Sequence, residues 1–413
     1  MAYELLTADA QAELARLGSA ELVIGVPTAT PSPNLDGVAT AVRAGLQAYF
    51  AGHSAAVVHV DQAVGDAPDA ARAQAFGEVP LVRIRPAHAT GGPLVHVRHD
   101  EAAATTLAAG QALGARAIIL LNPEIASLTG DWLSGLGGPV LADDCGMVVP
   151  VYQGGRYEGT LTHALVVPLI RTLFGKRLAR PLAEEFGCSG KAATFLLEQD
   201  VWGTDLGRNG SEFWIPAAAM AEGLAIGQAA LGPRRISVPA QPTPLGEIVG
   251  RTAGSLFAIA ERYEMLWLEG TGSEAVPFVG PPPPDPQPGP APDPERMREG
   301  FRQGVRDLYP VWERILAPET LSDVLALGES AIGEFRFPDG LWSRVVYDFL
   351  LSYRARVVYR GHVAQSLAPL YLGRVTSVIY ETRNRPPDAV AKVTERLCQV
   401  FEEWKPYLVD RWR

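Results

Sequence analysis

The chain has little of what would tie it to an oxidising compartment, a membrane or a nucleic acid. Only 3 of its 413 residues are cysteine. Cys145, Cys188 and Cys398 stand far apart, with no CxxC and no His-rich spacing, so neither a disulfide framework nor a structural zinc site is predicted and a reducing cytoplasm fits. Basic residues are in the minority: 36 Lys and Arg against 46 Asp and Glu leave a net charge of -10. That balance argues against a broad basic footprint for nucleic acid or an anionic membrane, and small-molecule or protein partners become the expectation. Long apolar runs are missing too. The most apolar stretch, Ala164 to Phe174, is broken by Pro168 and Arg171 and falls short of the roughly 20 residues of a spanning helix, so it reads as a core helix. Met1 to Gly18 reads as an amphipathic helix ending at Gly18, not as a basic-then-apolar secretion signal. No GxGxxG or GxxxxGK(S/T) loop supports a dinucleotide or P-loop site.

What is present is a folded, two- or three-domain composition, 47% hydrophobic and 20% charged. Leu22 to Val26, Ala55 to Val60, Val79 to Ile84 and Ala117 to Leu121 are short β-rich runs. They alternate with helical patterns at 35–50 and 101–113. Strands apolar on both faces and alternating with helices predict a mostly parallel sheet covered on both sides, an α/β fold. In such a sheet ligands bind beyond the carboxyl ends of the strands, so Pro27 to Ser32, Asp61 to Asp66 and Asn122 to Ser127 are expected to line one crevice. Leu224 to Ala230 reads as one more strand and Leu245 to Trp267 as a long helix. Val276 to Pro294, with Pro281 to Pro284 in a row, predicts extended polyproline II. From 295 onward the periodicity is helical. The expected divisions are an N-terminal helix (1–20), a nucleotide-sugar half (21–145), an acceptor half (146–272), a Pro-rich linker (273–295) and a helical C-terminal domain (296–413). The long C-terminal helices make a homodimer an expectation.

Several constellations carry chemistry. Asp61 and Asp66 follow the second strand, where a carboxylate suits base or ribose hydroxyls; a turn cap is the plain alternative for Asp61. Asn122-Pro123-Glu124 follows the fourth strand, where hard cations find carboxylate oxygens, although Asn122 is a weak neutral ligand. Tyr157, Thr160 and His163 lie at the mouth of a helix beginning near Leu161, where free N–H groups and hydroxyls can grip an anionic or polyhydroxy acceptor. Of the adjacent pair Glu184 and Glu185, Glu185 is chosen to face the site, because Phe186-Gly187 then turns the chain. Trp202, Asp205, Glu212 and Trp214 fit an aromatic wall with two acceptor-orienting carboxylates, while the tryptophans fit a core equally well.

Taken together these motifs resemble the GT-A fold glycosyltransferases that include glucosylglycerate, mannosylglycerate and glucosyl-3-phosphoglycerate synthases. The specific pieces are Val149-Pro150-Val151-Tyr152, Tyr157-Glu158-Gly159-Thr160, Pro181 to Gly187, Val201-Trp202 with Asp205, Gly210-x-Glu212, and Tyr371 to Val375 with Phe401 to Leu408 near the end. The resemblance implies a Rossmann-like sheet followed by a helical domain. It implies transfer of a hexose from a nucleoside diphosphate sugar to glycerate, phosphoglycerate or a similar small acid, with retention and usually with Mg²⁺ or Mn²⁺. By position it implies Pro27, Thr28, Asp61, Asp66, Arg98, Asn122, Glu124 and Arg235 at the donor, with Glu124 as a weak metal ligand. Tyr157, Thr160, His163 and Trp202 would meet the acceptor, and Asp205, Glu212 and Glu185 the reaction.

The departures fall almost entirely on donor handling. Pro27-Thr28-Ala29-Thr30-Pro31 replaces a loop that usually carries a carboxylate, Arg98-His99-Asp100 replaces Gly-Lys-Gly, Asn122-Pro123-Glu124 replaces Asp-x-Asp, Ser237 stands at the metal histidine, and Glu184 replaces a glycine. Arg98, Arg234 and Arg235 could neutralise a diphosphate without metal. Three readings follow: a transferase with an unusual donor site, a non-catalytic relative that binds a ligand or partner, or a sugar-nucleotide enzyme of other chemistry such as a nucleotidyltransferase.

Overall fold

The computed structural model describes residues 5–28, 34–62, 75–86, 98–237, 243–287 and 289–413. Its strands are β1 (Leu22–Thr28), β2 (Ala55–Asp61), β3 (Leu81–Ile84), β4 (Ala117–Leu120), β5 (Met147–Gln153), β6 (Lys176–Arg177), β7 (Phe186–Ser189), β8 (Ile226–Pro233) and β9 (Glu274–Ala275). Seven of them form one sheet in the order β3-β2-β1-β4-β7-β5-β8. β7 runs antiparallel to both β4 and β5, and the other neighbours are parallel. The predicted βαβ pattern is therefore observed, because every residue of β1 and β4 is buried and only a sheet covered on both faces accommodates such strands. The helices Leu35–Tyr49 and Asp131–Leu141 cover one face, with Val38, Val42, Trp132, Leu133 and Leu136 meeting Leu22, Ile24 and Val148 in the core.

Small residues set how closely the layers approach. A Cβ on Gly25 of β1 would lie 2.3 Å from the Thr106 hydroxyl oxygen of helix His99–Ala112, and one on Gly187 of β7 would lie 2.0 Å from the Leu136 carbonyl oxygen. Neither position has room for any side chain.

Val276 to Pro294 departs from the polyproline expectation at its start. Val279 donates its N–H to the Gln228 carbonyl at 2.8 Å, Gln228 donates to the Pro277 carbonyl at 3.1 Å, and Phe278 between them forms a parallel bridge with Gln228 of β8. The reason is local: Val279 keeps the donor that proline lacks, and Pro277 is asked only to accept.

The contacts divide the chain into two compact units that do not follow sequence order. One comprises Met1–Gln153, Arg180–Pro239 and Val276–Pro283; the other comprises Gly154–Ala179, Ala240–Ala275 and Pro284–Arg413. The segment 146–272 is thus shared between them. The second unit is helical apart from the β6–β9 pair. Its interior holds Phe301, Trp312, Phe337, Trp342 and Tyr347, with the Trp342 indole donating to the Ala164 carbonyl at 2.7 Å and the Tyr347 hydroxyl to the Phe401 carbonyl at 2.6 Å. Ala164 to Phe174 is the core helix expected, opening with a π-type turn at Thr162–Val166. Among the described residues no helix is long and apolar enough to cross a membrane.

Candidate active site at the carboxyl edge of the sheet

The strand directions bring the carboxyl ends of β1, β2, β4, β5 and β8 to one edge of the first unit, where β7 begins; Phe186 is paired with Leu120. The order of connections reverses between β1 and β4, and such a switch point leaves a crevice for a ligand. The sequence-predicted donor residues described here are at this edge, but most of their polar groups are already engaged. Pro27 and Thr28 end β1, with Thr28 buried and its hydroxyl 2.8 Å from His59 Nε2. Asp61 ends β2 and is 1% exposed. Arg83 of β3 closes on it, with Nε donating at 2.8 Å. The nucleotide-facing carboxylate expected at Asp61 is instead half of an internal ion pair. Asp66 lies outside the described residues.

Arg98 is committed as well. Its guanidinium lies 2.7 Å from Asp100 and 2.6 Å from Glu101, and its backbone N–H donates to the Gln62 side-chain oxygen at 2.8 Å. Asn122 spends its side-chain oxygen on the Glu124 backbone N–H at 2.9 Å. The Glu124 carbonyl accepts from both the backbone N–H and the hydroxyl of Ser237, at 2.7 and 2.8 Å. Arg235 is exposed, and its backbone N–H donates to the Ser127 hydroxyl at 3.0 Å. Here the loop after β4 is laced to the loop after β8. For Mg²⁺ or Mn²⁺ this leaves one carboxylate beside an occupied amide and a serine, and among the described residues no three His, Cys, Asp or Glu side chains are placed to hold an ion. Hard divalent cations want several oxygens, most of them anionic, so the described residues do not fit the implied metal.

Beside this edge lies a cluster that the sequence only partly signalled. Glu185, immediately before β7, is fully buried; it accepts from the Tyr152 hydroxyl at the end of β5 and from Arg234 Nη2 at 3.2 Å, just beyond β8. Glu184 pairs with Arg180 and stands 3.7 Å from Arg234. The Tyr152 ring is stacked on Trp132 at 5.4 Å, with Arg180 and Arg234 at 4.8 and 5.6 Å from its centre. His99 completes the group, one ring nitrogen 2.8 Å from the Ser211 hydroxyl and the other 3.2 Å from the Glu184 carbonyl. Two carboxylates and two guanidiniums therefore balance around a phenol. Burial alone would raise Glu184, but Arg180 and then Arg234 carry it down to about 2. Burial and then Glu185 push the Tyr152 phenol well above its ordinary value, so it remains a donor. Glu185 was legible from its Pro-Leu-Ala-Glu-Glu-Phe-Gly context. Arg180 and Tyr152 stood inside quoted or adjoining motifs without a role, and only the register of β5, β7 and β8 assigns them one.

The tryptophan-framed pair is rearranged. Trp202 is 7% exposed, donates its indole N–H to the Leu196 carbonyl at 2.7 Å, and meets Trp214 edge to face at 5.1 Å. The two rings are core, not an aromatic wall, because both are buried and pack edge to face on each other. Asp205 is exposed in the first turn of helix Asp205–Ala221, behind the Thr204 N-cap, and accepts from Asn209 at 2.7 Å. Glu212 is half-buried, and its carbonyl accepts from the Ala183 N–H at 2.8 Å, tying that helix to the Glu184–Glu185 loop near the kink at Gly210.

Tyr157, Thr160 and His163 belong to the second unit. The Tyr157 hydroxyl is 3.1 Å from Thr382 Oγ1, and that of Thr160 is 2.6 Å from the Tyr371 hydroxyl. His163 lines a void of about 20 Å³ with Thr160, Ala164, Val375 and Val393. These hydroxyls are spent on helix Ala368–Thr382, which their sequence neighbours did not reveal.

The first unit is an α/β structure, a mostly parallel seven-stranded sheet flanked by helices with the carboxyl ends of five strands at one edge, and the second unit is helical. Solved structures similar to this chain include glucosyl-3-phosphoglycerate synthase from Mycobacterium tuberculosis in complex with phosphoglyceric acid, at 18% identity over 62% of this chain and 83% of that one, with a TM-score of 0.41. A mycobacterial protein matches at 20% identity over 62% and 78%, TM-score 0.43. Mannosyl-3-phosphoglycerate synthase from Rubrobacter xylanophilus matches at 16% over 62% and 78%, TM-score 0.37. No family model and no curated protein matches the chain.

Proposed function

We propose that the protein is a hexosyltransferase, moving a hexose from a nucleoside diphosphate sugar to a small acid such as glycerate or phosphoglycerate, with retention at the anomeric carbon. The observation that carries this reading is the convergence of Tyr152, Arg180, Glu184, Glu185 and Arg234 at the carboxyl edge of the sheet, where a ligand crevice is expected. In the transfer the bond from the anomeric carbon to the diphosphate oxygen breaks and one to the acceptor oxygen forms; the acceptor hydroxyl gives its proton to the freed diphosphate oxygen, and the nucleoside diphosphate departs. Glu185, fully buried with one oxygen on Tyr152 and the other on Arg234, is assigned as a positioning residue that holds these two groups in place at the edge, since a preorganised site needs no reorganisation when charge develops. Asp205 and Glu212 are assigned nearby roles. No step is routed through a metal. Arg235, exposed beside the crevice, is the cation assigned to the diphosphate.

The test is incubation with UDP-, GDP- and ADP-glucose or mannose together with glycerate or 3-phosphoglycerate, with Mn²⁺ and with EDTA, reading the glycosylated acid by mass spectrometry. Transfer by wild type, lost in Glu185→Gln, is the expected result. Absence of binding by every nucleotide sugar would remove the reading.

A second reading is favoured by one specific observation: Asp61, Arg98 and Asn122 are each engaged by the chain itself. A relative that binds a ligand without transferring it would show saturable nucleotide or acid binding with no product.

A further inference from the structure

The second unit carries a cleft of about 570 Å³ that none of the assigned site residues enters. Small-ligand sites fall in this size range. Four arginines, Arg336, Arg374, Arg383 and Arg396, face three carboxylates, Glu295, Asp339 and Glu381, across it, a surplus of one positive charge in a chain whose total is -10.

The charges are not equivalent. Arg374 is 2% exposed; it donates to the Phe337 carbonyl at 2.8 Å and lies 2.5 Å from Asp339. Arg396 gives Nη1 and Nη2 to the two oxygens of Glu381, at 2.8 and 2.9 Å, and Nε to Asp339 at 2.6 Å. These two arginines and two carboxylates neutralise one another and brace the cleft. Arg336 and Arg383 remain. Both are exposed, and neither is in an ion pair among the described residues; Arg383 is held over the Tyr380 ring at 5.1 Å. Opposing them is Glu295 alone. A guanidinium presents planar donors and no acceptor, so the group that completes two of them beside a braced rim is an oxyanion of two charges.

We propose that this cleft binds a phosphate group, free or as the head of a small phosphomonoester, through Arg336 and Arg383. The site lies wholly within the helical unit, and its ligand is independent of the transfer proposed above. Neither arginine supports the interior, so Arg336→Gln/Arg383→Gln leaves the unit folded.

The experiment titrates wild type and this double variant with inorganic phosphate and with glycerol 3-phosphate, at constant ionic strength against chloride, by calorimetry. In parallel, modification of individual arginines by phenylglyoxal is followed by peptide mass spectrometry. Phosphate should slow modification of Arg336 and Arg383 at least about fivefold while leaving the exposed Arg251, which lines neither site, unchanged, and the variant should lose at least tenfold in affinity for one equivalent. Tighter binding of the ester than of phosphate identifies the phosphomonoester as the ligand; equal binding identifies the free anion. Equal phosphate affinity in wild type and variant, or no protection of the two arginines, overturns the proposal.

Discussion

Tyr152→Phe isolates the cluster on which the functional reading rests. The substitution removes one hydroxyl and keeps the ring, so the stack on Trp132 at 5.4 Å and the two flanking guanidiniums persist. What is lost is a hydrogen bond to a carboxylate with 0% exposure, leaving Glu185 with Arg234 at 3.2 Å. Hydrogen bonds to charged groups contribute about 1.5–3 kcal/mol. Because one cationic partner remains, about 2 kcal/mol of destabilisation is expected. Arg234→Met is the harsher change, since it strips the ion pair from a buried carboxylate, a change that costs about 3–5 kcal/mol in buried pairs. Arg180 still stands nearby, so the lower end of that range is expected. The two groups share one partner, and a double-mutant cycle should return a coupling of about 1 kcal/mol or more. Urea unfolding followed by tryptophan fluorescence and by circular dichroism gives all four corners, with the transitions of the two units fitted separately. A unit of this size loses about 2–4 °C of melting temperature per kcal/mol, so Tyr152→Phe should fall by about 4–8 °C. If it stays within about 0.5 kcal/mol of wild type, the Tyr152–Glu185 contact is not an organising one and the account of the site fails with it.

Other outcomes follow from the same structure. Glu184, held at about 2 by Arg180 and Arg234 against a normal value of 4.5, contributes stability that is present above pH 4.5 and lost as pH falls toward 2; Arg180→Gln should flatten that acid limb, as seen by unfolding at a series of pH values. Trp202→Ala should cost about 3–5 kcal/mol in urea unfolding, as removal of a core indole does, and Trp202→Phe should leave acceptor affinity unchanged. Gly187→Ala should abolish soluble expression, because its Cβ would meet the Leu136 carbonyl oxygen at 2.0 Å. If sugar transfer is observed, EDTA should change its rate less than about twofold, in line with the one-carboxylate donor set at Asn122-Pro123-Glu124; a loss of about tenfold or more would place a metal there.

How far the residues could be read differs between fold and site. The strands of the first half were legible because β1, β2 and β4 are continuous apolar runs between helical periods, and burial on both faces leaves no other arrangement. The position of Asp61 and Asn122 at the carboxyl ends of their strands and the core character of Ala164 to Phe174 were equally local. Partnership was not. Asp61 looked available until Arg83 arrived across β2 and β3, and Trp202 looked like a wall until the turn to Asp205–Ala221 brought Trp214 edge-on. Thr160 and Tyr371 are separated by 211 positions, beyond the reach of any periodicity.

The sequence alone therefore determined the strands of the first half, most of the helices and the edge of the sheet at which the polar loops gather, because hydrophobic period and turn chemistry are properties of neighbouring residues; Phe186-Gly187, expected to turn the chain, instead opens strand β7, whose four residues are too few to show a period. Tertiary structure decided which of those polar groups stay free. Pairing across β5, β7 and β8 gathered Tyr152, Glu185 and Arg234 into one buried cluster, and pairing of β2 with β3 consumed Asp61, whereas Arg98 and Asn122 are held by near neighbours in the chain, Asp100 and Glu101 for the one and Glu124 for the other. A buried charge must find its counter-charge wherever the fold supplies one, and that supply is set by register and packing, not by spacing along the chain.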